Sequence, residues 1–129
     1  GDLPSAPIER VAHVRESAGR YDITLVLKGA PTLVAGADGG VSVLPVGNSG
    51  MATAGSGDVL SGIVTALIAQ GASPHDAAVL GTFLHAHAGN RAAARLGEYS
   101  LIASDIIEEL PGALCEFTGT FDAKVQLPL

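Results

Sequence analysis

The segment GNSGMATAGSGD, residues 47–58, decides the fold of this chain, because a glycine-rich loop runs here directly into an amphipathic stretch, residues 59–68. Glycine lets backbone N–H groups approach an anion without interference from a Cβ atom. A helix start adds unpaired N–H groups and a partial positive charge. The segment therefore predicts a phosphate-binding loop that opens a helix from about Gly57 to Gln70. It has neither the ending of a Walker A loop nor the spacing GxGxxG.

Asp58 is the carboxylate that follows this loop. A negative charge beside an anion site repels the anion, so its presence favours a role as a base next to a bound phosphate. The alternative is a tight turn into a core helix, with Asp58 as a favourable charge in the first turn. The apolar positions of the helix, spaced to form one stripe, are Val59, Leu60, Ile63, Val64, Leu67 and Ile68.

Upstream of the loop, residues 23–27 (ITLVL) form an apolar, partly β-branched run that is typical of a buried strand in a parallel sheet. Lys28 follows at the carboxyl end of this strand, where open α/β sheets bind ligands. The alternative is a strand-end lysine that reaches solvent. Residues 31–35 and 41–44, separated by a turn at residues 38–40, predict a hairpin.

Helices are predicted on both sides of these strands. The first has Ser5 as N-cap and ends at Gly19, and another follows Ser73-Pro74, with Asp76 placed for a capping box, and runs to about Leu96. A last helix covers residues 106–110 and is interrupted or closed by Pro111-Gly112. Residues 117–122 form a weak strand or trail off. The pattern is α/β, but it has too few strands for a complete doubly wound sheet, so we expect part of a domain.

Composition excludes several classes of protein. The net charge is −6 and no basic run occurs, so we expect neither nucleic acid nor membrane as a partner. The single cysteine, Cys115, rules out an intrachain disulfide and predicts a reducing, cytoplasmic location. No apolar stretch reaches the length of a membrane span, and the chain does not start with a signal peptide. The four histidines, interpreted as structural or surface residues, give no metal-ligand spacing, so we expect no protein-held metal; they are His13, His75, His85 and His87.

Four motifs, in order along nearly the whole chain, resemble the C-terminal half of the ADP-dependent NAD(P)H-hydrate dehydratases. They are LKGAPT (27–32), GNSGMATAGSGDVL (47–60), HAHAGN (85–90) and IASD (102–105). The resemblance implies a ribokinase-like three-layer α/β/α fold, with residues 1–129 as the C-terminal part of one such domain. The family's N-terminal half, with several strands and a substrate loop, is absent from this chain. The family commonly has proline where Ser49 stands and aspartate where Asn90 stands.

The resemblance also implies roles for individual residues. The adenine nucleotide would be lined by Lys28, Gly29, Ala30, Pro31 and Thr32. An anion hole at the phosphates would be formed by Gly55, Ser56 and Gly57. Asp58 would contact the hydrated nicotinamide and act as the catalytic carboxylate.

The implied activity is that of a lyase, the dehydration of NAD(P)H hydrate driven by ADP or ATP, with Mg²⁺ bridging the phosphates. Two alternatives stay open: a small-molecule kinase of the same fold, and a non-catalytic nucleotide-binding fragment. An open strand edge and an uncovered apolar face favour association. We therefore expect a complementary N-terminal polypeptide as partner, and we also expect a homo-oligomer.

Overall fold

A small antiparallel sheet lies between helices in this structure, a computed structural model that describes residues 6–118. The elements in chain order are helix α1 (Pro7–Tyr21), strands β1 (Leu25–Leu27), β2 (Thr32–Ala35) and β3 (Val41–Leu44), a 3₁₀ turn (Ser49–Met51), helices α2 (Ser56–Ala69) and α3 (Pro74–Leu96), a second 3₁₀ turn (Glu98–Ser100) and helix α4 (Ala103–Thr118).

The sheet has the order β1-β2-β3, and both strand pairs are antiparallel. The predicted hairpin is confirmed, with Ala35 paired to Val41 and Thr32 to Leu44. The prediction of a buried parallel strand over residues 23–27 is wrong for the described residues, because β1 is half-buried, begins at Leu25 and pairs antiparallel with β2. A short connection reverses the chain after Leu27, whereas a parallel neighbour needs a crossover of about a dozen residues. The other edge of β1 has no partner strand within residues 6–118.

Helices cover both faces of the sheet, which gives the predicted three layers. On one face, α1 packs Val14 and Ala18 against Leu33 and Ala35. On the other face, Ala78 of α3 packs against β2 and β3. Alternate residues of β2 point to opposite faces of the sheet, and helices cover both faces. All four residues of β2 are therefore buried, and β2 lies at the centre of the fold.

The helix boundaries follow their capping signals in most places. α3 begins after Ser73, whose Oγ accepts a 3.1 Å hydrogen bond from the Asp76 backbone N–H and donates a 2.7 Å bond to Asp76 Oδ2. α1 runs two residues past the predicted end at Gly19, as far as Tyr21, and Asp22 then takes a left-handed conformation with φ 53°. Its N-cap is Ala6, whereas Ser5 lies outside the described residues.

The predicted break at Pro111 is wrong, because α4 continues through it to Thr118. Buried residues on either side of the proline, Ile106 and Ala113, belong to one apolar cluster with α3. Gly112 lies directly against the Arg91 guanidinium, which leaves no space for a Cβ atom. Packing on α3 therefore holds the helix together across the missing backbone N–H. Phe117 and Thr118 are helical, so a strand does not begin there, and residues 119–122 lie outside the described range.

The apolar stripe of α2 is only partly covered within the described residues. Leu60 is buried, while Ile68 is 45% exposed and the other four members are half-buried. A Cβ built on Gly62 would meet no atom within 4 Å. Among residues 6–118, no helix combines the length and the apolar character needed to cross a membrane.

Candidate functional site

A cavity of about 680 Å³ lies between the sheet and helices α2 and α3. The complete segment Lys28–Thr32 lines one side of it, and the loop before α2 lines another. Helix residues close the cavity, namely Ser56 and Leu60 of α2 and Thr82, His85 and Ala86 of α3. The cavity thus combines mostly apolar walls with a few polar side chains, as small-molecule sites usually do.

The side chain of Thr32 holds the segment Lys28–Thr32 in a tight loop. Thr32 Oγ1 donates a 3.1 Å hydrogen bond to the Gly29 carbonyl and accepts a 3.4 Å bond from the Gly29 N–H. The Ala30–Pro31 peptide is cis. Arg10 of α1 covers this loop, since a Cβ built on Gly29 would lie 2.5 Å from Arg10 Nη2.

Lys28 reaches across to the glycine-rich loop. A Cβ built on Gly57 would lie 3.8 Å from Lys28 Nζ, so the ammonium group stands beside the first turn of α2. Gly55, the N-cap of that helix, has φ 84°, a left-handed conformation that favours glycine. The two segments that the sequence singled out separately are therefore neighbours in space.

The cations at this place are not neutralised by carboxylates of the described chain. All ion pairs among residues 6–118 involve His87, Arg91 or Arg95, and none includes Lys28 or Arg10. The chain as a whole carries a net charge of −6. Lys28 stands beside the N-terminus of α2 without an ion-pair partner in the described chain, and this arrangement attracts anions.

Asp58 lies in the first turn of α2 and its side chain is exposed. It makes no side-chain hydrogen bond or ion pair within residues 6–118, so its carboxylate is free to accept a proton or a ligand. It does not line the 680 Å³ cavity, and neither do Gly55 and Gly57. Of the loop residues at 55–58, only Ser56 faces the cavity directly.

Ser56 and His85 form a buried polar pair at the cavity wall, with 1% and 4% of their surfaces exposed. His85 Nε2 lies 2.9 Å from the Ser56 carbonyl oxygen and 3.2 Å from Ser56 Oγ. Because a carbonyl can only accept, Nε2 carries the proton and donates it. Burial lowers the pKa of His85, and the nearby charge of Lys28 lowers it further, against an opposing effect of the Ser56 hydrogen bond.

The first part of the glycine-rich loop is fixed to α3 and to the second 3₁₀ turn. Asn48 Nδ2 donates a 2.9 Å hydrogen bond to Asn90 Oδ1, and Ser49 Oγ donates to Glu98 Oε2. Met51 packs on Gly89, where a Cβ would lie 2.5 Å from the Met51 sulfur. Two buried polar atoms here have no hydrogen-bond partner in the described part of the chain, Asn48 Oδ1 and Thr82 Oγ1.

Sequence reasoning missed Thr82, His85 and Gly89 as parts of this site. Their spacing of i, i+3 and i+7 places them on one face of α3, the face that meets the cavity and the loop. That spacing is the signal that could have found them.

Within residues 6–118, no group of three or more histidine, cysteine, aspartate or glutamate side chains is placed to hold a metal ion.

The layers and the loop define a ribokinase-like α/β protein. A solved structure supports this fold: the ADP/ATP-dependent NAD(P)H-hydrate dehydratase from Bacillus subtilis, co-crystallized with ATP/Mg²⁺. It matches with a TM-score of 0.80 and 27% identity, over 84% of this chain and 39% of that chain. The family profile for NAD(P)H-hydrate dehydratase matches residues 3–112. The chain belongs to the NAD(P)H-hydrate dehydratase family.

Relatives of known function are similar over most of this chain. The bifunctional NAD(P)H-hydrate repair enzyme of Moorella thermoacetica is 45% identical over 82% of this chain, which corresponds to 20% of the relative. The ADP-dependent (S)-NAD(P)H-hydrate dehydratase of Neisseria meningitidis is 48% identical over 64% of this chain and 28% of the relative. The chain thus spans between a fifth and a third of the length of these relatives.

Proposed function

We propose that this chain supplies the nucleotide-binding part of an NAD(P)H-hydrate dehydratase, a lyase that removes water from hydrated NADH or NADPH with cleavage of ADP or ATP. The observation that carries the proposal is the approach of Lys28 Nζ to Gly57 at the first turn of α2. This approach brings the segment Lys28–Thr32 beside the glycine-rich loop, and the exposed Asp58 follows Gly57 directly in the same turn.

The cavity is the proposed site of the adenine nucleotide. Its volume of about 680 Å³ lies in the usual range for small-molecule sites, roughly 300–1,000 Å³. The apolar part of the wall, with Pro31, Leu60 and Ala86, suits the base. The phosphates would lie toward Lys28 and the N–H groups of residues 55–57, since both attract negative charge.

Magnesium would enter with the nucleotide. Asp58 is the carboxylate on the turn proposed to bind the phosphates, and it could supply an oxygen ligand to such an ion. The chemistry that Mg²⁺ supplies when bound is neutralisation of charge on the phosphoryl oxygens.

Asp58 is the proposed general base. Its carboxylate would accept the proton of the hydrate's hydroxyl group while that oxygen attacks the terminal phosphoryl group of the nucleotide. One P–O bond forms and the P–O bond to the leaving nucleotide breaks, which yields AMP from ADP. The C–O bond of the phosphorylated hydrate then breaks, phosphate leaves, and loss of a ring proton regenerates the reduced nicotinamide. Helix N–H groups at residues 55–57 would stabilise the charge on the moving phosphoryl group.

In this proposal, an N-terminal polypeptide pairs with β1, covers α2 and supplies the complementary half of the site. The unpartnered edge of β1 and the open surface at Gly62 support it. The small share of each relative that the chain spans supports it as well. The cytoplasmic location and the homo-oligomer stay predictions.

Assembly of the complete domain with NADH hydrate, ADP and Mg²⁺ tests the function through its products. A dehydratase releases NADH, AMP and phosphate in equal amounts. A small-molecule kinase of this fold would instead form a stable phosphate ester of an added sugar or vitamin alcohol and leave the hydrate unchanged. A non-catalytic fragment would bind ADP without any turnover, and either of these results would overturn the proposal.

A further inference from the structure

His85 connects the first turn of α2 to the middle of α3. Its Nε2–H donates to the carbonyl of Ser56, which is the first residue of α2. The two residues are 29 positions apart in the sequence, so the bond joins two separate helices at the edge of the cavity. Because both side chains are almost fully buried, water cannot replace the donor if it is removed.

The position of Ser56 fixes the position of its neighbours in the same turn. Gly57 lies beside Lys28 Nζ, and Asp58 follows directly. A helix turn is rigid because its backbone is hydrogen-bonded and its dihedral angles are narrow. A displacement of the Ser56 carbonyl would therefore move the Asp58 carboxylate relative to the segment Lys28–Thr32.

The charge state of His85 suits a fixed donor. Burial and the nearby charge of Lys28 lower the pKa of His85, which favours the neutral ring. In that form one ring nitrogen donates and the other accepts, and the Ser56 carbonyl selects Nε2 as the donor. The ring therefore adds a directed hydrogen bond to the loop without adding a third cation beside Lys28 and Arg10.

On the basis of the proposed dehydratase function, we propose that His85 is a positioning residue of the reaction. Its Nε2–H holds the Ser56 carbonyl and so sets the catalytic turn with Asp58 against the nucleotide-binding segment. His85 acts on the reaction through Ser56 and does not itself transfer a proton. Misplacement of a reacting group by about 1 Å can lower the rate about a hundredfold.

Two substitutions in the complete domain separate this role from simple packing. His85→Phe keeps a ring of similar size but has no donor, so kcat should fall about 10- to 100-fold, while the KM for ADP should change by a smaller factor than kcat because the segment Lys28–Thr32 is unaltered. His85→Gln retains an N–H donor near the position of Nε2 and should restore kcat to within about fivefold of the parent protein. His87→Gln, two residues along the same helix and outside the cavity lining, is the matched control and should keep full kcat.

The tautomer of His85 can be measured without any turnover of substrate. In a ¹⁵N-labelled complete domain, the ring nitrogens of His85 should show protonation at Nε2 and an unprotonated Nδ1, and the Nε2–H should be protected from exchange. A folded His85→Phe variant with kcat within twofold of the parent would overturn the proposal, as would a Gln variant no better than Phe or an Nδ1–H tautomer. If the parent domain and His87→Gln bind ADP but fail to dehydrate the hydrate, the proposed dehydratase function is wrong. The tautomer of His85 then still tests its hydrogen bond to the Ser56 carbonyl.

Discussion

Asn48 Nδ2 donates a 2.9 Å hydrogen bond to Asn90 Oδ1 and so ties the start of the glycine-rich loop to helix α3. Asn90 stands where the related dehydratases commonly have aspartate. An amide oxygen can accept this hydrogen bond as a carboxylate would, but without the charge. The departure at this position therefore leaves the contact between loop and helix in place.

A double-mutant cycle with Asn48→Ala, Asn90→Ala and both together should show a coupling free energy of about 0.5–1.5 kcal/mol, the usual contribution of one hydrogen bond. The cycle cancels the gain in helix propensity that alanine brings at position 90. Urea unfolding of the complete domain gives the four free energies. In addition, Asn90→Asp should be at least as stable as the parent, because a charged acceptor strengthens the bond. A coupling of about zero would mean that the two amides are independent.

The local signals of the sequence predicted the start of α2 and the strand end before Lys28 better than they predicted the direction of β1. The glycine-rich loop, the helix start at Ser56 and the strand-end Lys28 all depend on neighbours in sequence, so their patterns could be interpreted directly. The direction of β1 depends on how it pairs with β2, the next strand along the chain, and an apolar run such as residues 23–27 does not specify that pairing. The contact between Ser56 and His85 joins residues 29 apart, and no local pattern encodes it.

Pro111 shows that local sequence signals have the same limit in a helix. Its missing N–H is a correct local signal for a helix end, yet contacts of the flanking residues with α3 outweigh it. Arg91 receives ion pairs from both sides of the proline, from Glu109 at 3.0 Å and from Glu116. Such contacts follow only from the packed arrangement of α3 and α4.

Replacement of Asp58 by asparagine tests the proposed base. Asp58→Asn should lower kcat of the complete domain by about 10²–10⁴-fold, the usual contribution of a general base. ADP affinity should stay equal or increase, because the neutral amide repels the phosphates less than a carboxylate does. Steady-state kinetics and calorimetric titration with ADP measure the two effects separately.

The matched control is Asp38→Asn in the turn between β2 and β3. There the carboxylate accepts a 3.0 Å hydrogen bond from the Gly40 N–H, and Asp38 does not line the cavity. This variant should retain kcat within about twofold. Activity of Asp58→Asn within tenfold of the parent would show that Asp58 is not the base.

Thr82 lines the cavity, and its buried hydroxyl group has no hydrogen-bond partner among residues 6–118. Thr82→Val replaces this hydroxyl by a methyl group of similar size. Removal of an unpaired buried polar group should raise the free energy of unfolding by about 1 kcal/mol. Thermal unfolding of the protein without ligand measures the change.

Thr65→Val is the control, because it makes the same exchange of threonine for valine within a helix. Thr65 is exposed on α2 and donates a 2.7 Å hydrogen bond to the Ser61 carbonyl. Its replacement should change stability by no more than about 0.5 kcal/mol, as is usual for a surface position. A loss of stability in Thr82→Val would show instead that the hydroxyl has a partner in solution.

Glu116 on α4 should make stability depend on pH in the acid range. A hydrogen bond from His87, aided by the Arg91 charge, holds the pKa of Glu116 below its usual value of 4.5. The folded state thus binds the proton less readily than the unfolded state. The contribution is fully present above pH 4.5 and is lost as the pH falls through the lower pKa of the folded state.

Glu116→Gln should flatten the stability curve below pH 4.5 when unfolding is followed by circular dichroism at several pH values. High salt should reduce the difference between parent and variant, because the pair is exposed. Glu16→Gln on α1 removes a carboxylate without an ion-pair partner in the described chain and should leave the slope unchanged. Equal slopes for the parent and Glu116→Gln would contradict the assignment.

The last prediction is that the 129-residue chain is not active alone. The outer edge of β1 has no partner strand among the described residues, and Ile68 on α2 is 45% exposed. An open strand edge beside an apolar face favours association with another chain. The purified chain should therefore self-associate in sedimentation experiments and fail to dehydrate NADH hydrate, and addition of the N-terminal half of the domain should restore activity.

The surface involved can be identified with one pair of variants. Gly62→Arg places a large charged side chain on the open face of α2, where a Cβ meets no atom within 4 Å. It should leave the folded structure of the isolated chain intact but weaken its binding to the N-terminal half at least tenfold. Ala94→Arg, on an exposed position of α3, should bind that half as the parent does, because no open strand edge adjoins it. A soluble, fully active monomer of the 129-residue chain would show that no complementary half is required.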